Sequence, residues 1–143
     1  MNFLFAPFSE LEEFGNIQKS IKNKQTPVQV TGCMDSQKVH LMAGLGETYL
    51  YKVILAENEI KAKELYEDYK LYDRRVYFYP AKDAIFYNAD VRGNAIVRQR
   101  LKVFRGLIEK QPMCIITTMD GGMDKLLPLK RWAEHVLTIS EAG

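Results

Sequence analysis

Residues 28–39 read VQVTGCMDSQKV, and the fold depends on what kind of turn they make. A short β-branched run, Val28-Gln29-Val30, leads into Thr31-Gly32, and a helical pattern runs from Ser36 onward. The expected order is strand, tight turn, helix, which is the setting of a phosphate-binding loop. The motif G-x-x-x-x-G-K-[ST] uses its second glycine to let backbone N–H groups face the phosphates, its lysine for the outer phosphates and its hydroxyl for magnesium. Gly32 and Lys38 fit this register, but Gln37 stands where the second glycine belongs and Val39 replaces the Ser or Thr. A Cβ at Gln37 resists the positive φ the loop would ask of it, Val39 has no oxygen for a metal, and Asp35 brings negative charge to an anion cradle. The residues therefore predict no working nucleotide site. They do not separate a decayed phosphate loop from an ordinary strand-to-helix turn that happens to hold Gly and Lys.

With 143 residues and 47% hydrophobic content, the chain can bury one complete core, and a single α/β domain over residues 1–143 is expected. A net charge of +2 is too small to argue for a dedicated nucleic-acid or membrane surface. The start, MNFLFAPFSELEEF, lacks a basic leader, its apolar stretch is broken by Pro7 and by acids, and no run has membrane length. A cytoplasmic location with no membrane partner is the expectation. Cys33 and Cys114 are too few and too far apart for a disulfide framework or a zinc site, and read as packing residues. His40 and His135 have no companions at ligand spacing, so no metal site and no catalytic residue is assigned.

Ser9 with Glu12 forms an S-x-x-E pattern that predicts a capped helix carrying Leu11, Phe14, Ile17 and Ile21, ended by residues 23–27. The strand at 28–31 and a helix with Val39, Met42 and Leu45 on one face follow. YKVILA at 51–56 is a continuous apolar run, as for a strand buried on both faces of a parallel sheet. An amphipathic helix with Ile60, Leu65, Tyr69 and Tyr72 leads to a strand at 75–79, stopped by Pro80. Residues 81–94 read as a long ordered loop, and Val97, Leu101, Phe104 and Ile108 as the core stripe of the next helix. MCIITT at 113–118 is a further strand, a turn and short helix end at Pro128, and HVLTI at 135–139 is strand-like. Alternating strands and helices with short links predict a three-layer α/β fold, a parallel sheet with helices on both faces.

Four segments, taken in order, resemble a known family. VTGCMDSQKVHLMAGL, VILAENEIKAKELYEDY, FYPAKDAIFYNADVRGNAIVRQRLKVFRGL and IITTMDGGMDKLLP are similar to the N-terminal region of the bacterial transcription-repair coupling factors, the Mfd family. That region is itself similar to the first ATPase subdomain of the excision-repair protein UvrB. The resemblance spans roughly residues 5–140 and is most specific at P-x-x-D-x-x-F-Y (Pro80 to Tyr87), Arg100-Leu101 and TT-x-D-x-x-M-D-K-LLP. It implies a RecA-like subdomain in which residues 32–39 are a P-loop position that has lost its chemistry. It also implies an N-terminal fragment of a larger multidomain protein, with no cofactor of its own. The parent's ATP- and Mg-dependent translocase motor, and its contacts with RNA polymerase, UvrA and double-stranded DNA, would follow Gly143. UvrB carries a DNA-clamping aromatic hairpin after the strand matching residues 76–79. Only about a dozen residues separate Pro80 from the Arg-rich helix here, too few for that hairpin.

Rival readings remain open. Arg98, Lys102 and Arg105, at i, i+4 and i+7, form a basic stripe that could meet phosphate backbone or an acidic domain, though such stripes are commonly solvated helix faces. Tyr77, Phe78, Tyr79, Phe86 and Tyr87 read as core rather than as a base-stacking platform. Asp83 reads as structural, with Arg100 a candidate ion-pair partner, and Asp120 and Asp124 as helix caps. The favoured function is a noncatalytic scaffold. The alternatives are an ATPase domain with an atypical P-loop and a weak nucleic-acid-binding module.

Overall fold

A computed structural model describes residues 3–81, 89–124 and 128–134, with backbone alone at 89–93 and 132. A 3₁₀ helix, Phe3–Glu10, precedes α1 (Glu12–Lys22) and α2 (Asp35–Gly46). Then come β1 (Tyr51–Ala56), α3 (Glu59–Tyr69), β2 (Val76–Tyr79), α4 (Ala89–Ile108), β3 (Met113–Thr118), α5 (Met119–Met123) and α6 (Leu129–Glu134). The protein is mixed α/β, and the three strands among the described residues form an all-parallel sheet in the order β1-β3-β2. No helix among the described residues is long and apolar enough to cross a membrane.

The chain divides into two compact units: Met1–Tyr49 with Glu67–Arg74, and Leu50–Tyr66 with Arg75–Gly143. The first is built on aromatic side chains. Phe5, Phe8 and Phe14 are buried, the Phe8 and Phe14 rings stack at 4.7 Å, and the His40 ring lies 4.3 Å from Phe8 and 5.1 Å from Tyr72. His40 Nε2–H donates to the Leu4 carbonyl oxygen at 2.7 Å, so this half-buried histidine is held among the aromatic rings. The expected Ser9 cap is not formed. Ser9 Oγ donates to the Ala6 carbonyl at 2.7 Å, inside the 3₁₀ helix that already occupies residues 3–10, and Leu11 stands at the N-cap of α1.

No strand forms at 28–31. Val28 and Val30 are exposed, and β propensity in three residues after a proline does not make a strand without a ladder partner. In α2 the expected face holds: Val39 is buried, Met42 and Leu45 are half-buried, and Ala43, Gly44 and Gly46 complete it.

In the second unit β3 is the central strand, with Met113, Cys114 and Ile116 fully buried. β1 is an edge strand, not one covered on both faces. Val53 is 62% and Leu55 56% exposed, because α4 packs over β2 and β3 and leaves that face of β1 open. Tyr79, Val103, Phe104 and Met113 cluster there, with Phe104 edge-on to Tyr79 at 6.0 Å. On the opposite face Tyr66 of α3 meets Phe78 at 6.3 Å, and Ala62 is fully buried while Ile60 points to solvent.

α4 begins at Ala89, so residues 89–94 belong to the helix and not to the expected loop. Its core stripe departs from the expected one in the N-terminal half, while Phe104 is buried and Ile108 half-buried as expected. Ile96, Arg100, Val103 and Phe104 are buried, whereas Val97 and Leu101 are 51% and 41% exposed. The charged Arg100 on the inner face conceals the period. Residues 82–88 and 135–143, which hold Asp83, Phe86, Tyr87, His135 and the HVLTI run, lie outside the described residues.

Two helices end the same way. After α1, Lys24 has φ 58°, Lys24 N–H donates to Ile21 and Gln25 N–H to Ser20. After α4, Lys110 has φ 53°, Lys110 N–H donates to Leu107 and Gln111 N–H to Gly106. Both are Schellman motifs with a lysine in the left-handed position that glycine ordinarily takes. Replacing Lys110 by Gly relieves that strain at the cost of a looser unfolded chain, and should stabilise the protein by about 0.5–1 kcal/mol. The urea midpoint should rise with an unchanged m-value.

Candidate functional site

The residues of the expected phosphate loop are engaged locally. Gly32 has φ +81° and nothing near its missing Cβ, so the chain makes the left-handed turn that glycine permits. Two residues on, Met34 is the N-cap of α2, and its backbone N–H donates to Gln37 Oε1 at 3.0 Å. Gln37 does not enter a positive-φ turn. It is the third residue of the helix, and its side chain takes a donor at the very N-terminus where an anion would otherwise be bound. Lys38 Nζ donates to Asp35 Oδ1 at 3.0 Å, in a solvent-exposed i,i+3 pair. Val39 is 1% exposed. The position that a phosphate loop would give to a magnesium-binding hydroxyl is thus a core position. Gly32, Gln37, Lys38 and Val39 lie together in one loop and helix start, and each has a use other than phosphate.

The carboxyl ends of β2 and β3, where ligands commonly bind in open parallel sheets, are closed by a polar network. Arg100, buried on α4, donates through Nε to the Pro80 carbonyl at 2.9 Å and through Nη2 to Asp124 Oδ2. Its guanidinium carbon lies 4.6 Å from the centre of the Tyr79 ring. Thr117 Oγ1 donates to the Tyr79 carbonyl at 2.7 Å, and Thr118 Oγ1 accepts from Gly121 N–H at 3.3 Å. A Cβ at Gly121 would sit 2.5 Å from Thr117 Oγ1 and 3.2 Å from the Tyr79 carbonyl, so only glycine fits beneath this turn. Burial pushes the Tyr79 phenol above its ordinary range, with nearby Arg100 opposing the shift and Asp124 adding to it.

Two expectations are corrected here. Thr118, not Asp120 or Asp124, caps α5, and Asp124 supplies the carboxylate for Arg100. The network was only partly visible in sequence. Thr117, Thr118, Asp120, Asp124 and Arg100 all fall in the most specific blocks, but nothing in their spacing said which of them meet.

Arg98, Lys102 and Arg105 are exposed on α4. Lys102 and Arg105 line an open cleft of about 440 Å³ together with Tyr77, Gly106, Glu109 and Gln111, while Arg98 is not part of it. Arg105 Nε donates to Glu109 Oε1 at 2.7 Å, and Gln111 Nε2 donates to Glu109 Oε2 at 2.7 Å. The bond to Glu109, and then its negative charge, raise the Arg105 pKa above an already high value, so the guanidinium stays charged. Tyr77, expected in the core, is half-buried and forms part of this wall. Among the described residues no three His, Cys, Asp or Glu side chains are grouped to hold a metal. Comparison with protein-family models, with curated proteins and with solved structures gave no match.

Replacing Asp124 by Asn removes the charge that compensates a buried guanidinium while keeping the shape. It should cost about 2–3 kcal/mol of stability, read as a lower urea midpoint.

Proposed function

We propose that this chain is the N-terminal, UvrB-like subdomain of a transcription-repair coupling factor: a three-layer, RecA-like unit without catalysis of its own that positions neighbouring domains. The observation that carries the proposal is the hydrogen bond from Met34 N–H to Gln37 Oε1. A working P-loop needs its helix N-terminus open and its backbone donors free for phosphate. Here the side chain at the second-glycine position takes one of those donors, Lys38 is turned onto Asp35, and the hydroxyl position is buried as Val39. Such a loop keeps its role as a strong, self-capped helix start and gives up ligand binding. The blocks shared with the Mfd family supply the biological setting, displacement of stalled RNA polymerase and recruitment of excision repair. In that setting ATP, Mg, double-stranded DNA, RNA polymerase and UvrA are engaged by other parts of the parent protein.

The competing reading, an ATPase domain with an atypical loop, makes an opposite forecast. Isothermal titration of the chain with Mg-ATP should give no saturable heat at micromolar concentration. A low-micromolar dissociation constant would restore the ATPase reading. A second expectation concerns partners. The resemblance assigns UvrA contact to a region after this one, so immobilised chain should not retain purified UvrA, and retention would place that contact on residues 1–143.

A further inference from the structure

The cleft at the C-terminal end of α4 stands apart from the phosphate loop. Its lining sets two cations, Lys102 and Arg105, against one carboxylate, Glu109, leaving one net positive charge. Arg105 is already oriented, because Glu109 accepts from its Nε and is itself held by Gln111. With Nε engaged, the two terminal amino groups remain as a fork, the part of a guanidinium that can take both oxygens of a further carboxylate. Lys102 lies three residues earlier on the same helix surface and has no carboxylate partner among the described residues. Two adjacent cations, only one of them compensated, repel each other until an anion sits between them.

We propose that this cleft docks an acidic protein segment, receiving one Asp or Glu carboxylate between Lys102 and Arg105 while a neighbouring side chain lies against Tyr77. The single surplus charge matches a monoanion. A phosphate monoester would bring close to two negative charges beside Glu109. A nucleic-acid strand presents a continuous row of phosphates, yet the third cation of the stripe, Arg98, is outside the cleft and Glu109 puts a negative charge into its lining. The volume of about 440 Å³ accommodates one side chain and its flanking residues, within the range of preformed ligand sites. Tyr77 and Gln111, also in the lining, are side-chain types whose hydroxyl and amide groups can hydrogen-bond a peptide backbone.

The test is a titration of the isotopically labelled chain, followed by backbone amide shifts at low salt, with three probes: a short Glu-rich peptide, its Gln counterpart and an oligothymidylate of equal charge. The Glu peptide should produce saturable shifts at Lys102, Gly106 and Gln111, and the Gln peptide none. Lys102→Gln and Arg105→Gln should each weaken the Glu peptide about fivefold to tenfold. Both side chains are exposed, so the fold should survive and the unbound spectrum should stay unchanged elsewhere. Arg98→Gln should leave the affinity as it was. An equal loss from Arg98→Gln would reduce the effect to a diffuse field and overturn the site. So would tighter binding of the oligothymidylate, or shifts that never saturate.

Discussion

A guanidinium taken out of water at the carboxyl ends of two strands is the constraint around which the sheet unit is arranged. Arg100 cannot stay charged and buried unless its N–H groups are matched, and the partners come from three places: the Pro80 carbonyl after β2, the Asp124 carboxylate after α5 and the face of the Tyr79 ring. Each fixes a different element. Pro80 has no N–H to donate onward, so β2 stops there, while its carbonyl remains free to accept. Asp124 holds the end of α5 against α4. Thr117 bonds the same stretch of β2 from the central strand, and Gly121 allows the approach. A parallel sheet of three short strands has a small core, and this bonding adds directional restraint that apolar packing lacks.

Much of the architecture was legible from residue patterns. β1, β2 and β3 were apolar runs of strand length, and α1 to α4 showed helical spacing. The failures have specific causes. The S-x-x-E signature at Ser9 was real as a pattern, but a 3₁₀ helix had already taken the serine. Val28 and Val30 carry strand propensity, yet propensity needs a neighbour, and none is present among the described strands. On α4 the expected stripe was right at Phe104 and wrong at Val97 and Leu101, because Arg100 was read as an ion-pair partner and not as part of the inner face. β1 was expected to be covered on both faces because its residues are apolar. Whether an apolar strand lies at the centre or the edge of a sheet is decided by strand order, which composition does not encode.

The candidate sites were legible to unequal degrees. At Gly32 to Val39 the identity of each residue stated what it can offer, so the missing second glycine and hydroxyl could be read directly, while the capping bond made by Gln37 could not. The cleft was half seen. Lys102 and Arg105 belonged to a recognised stripe, but Tyr77, Glu109 and Gln111 come from a strand, a helix end and a turn, and only folding brings them beside the two cations. The Schellman turn at Lys110 makes this convergence, since it reverses the chain within two residues of Glu109 and returns Gln111 to the mouth of the cleft.

The strand order has a consequence for how the chain can acquire its sheet. β1 and β2 come first in sequence and, among the described residues, each pairs with β3 and not with the other. As the polypeptide leaves the ribosome, residues 51–79 can form helix α3 and little else that lasts, because two of the three strands wait for a partner not yet made. The β1-β3-β2 order means that residues 113–118 must enter between strands already synthesised. Until then YKVILA is an apolar segment with both edges unpaired, and the interval needed to translate β2, α4 and β3 is the period during which the nascent chain is most open to mispairing.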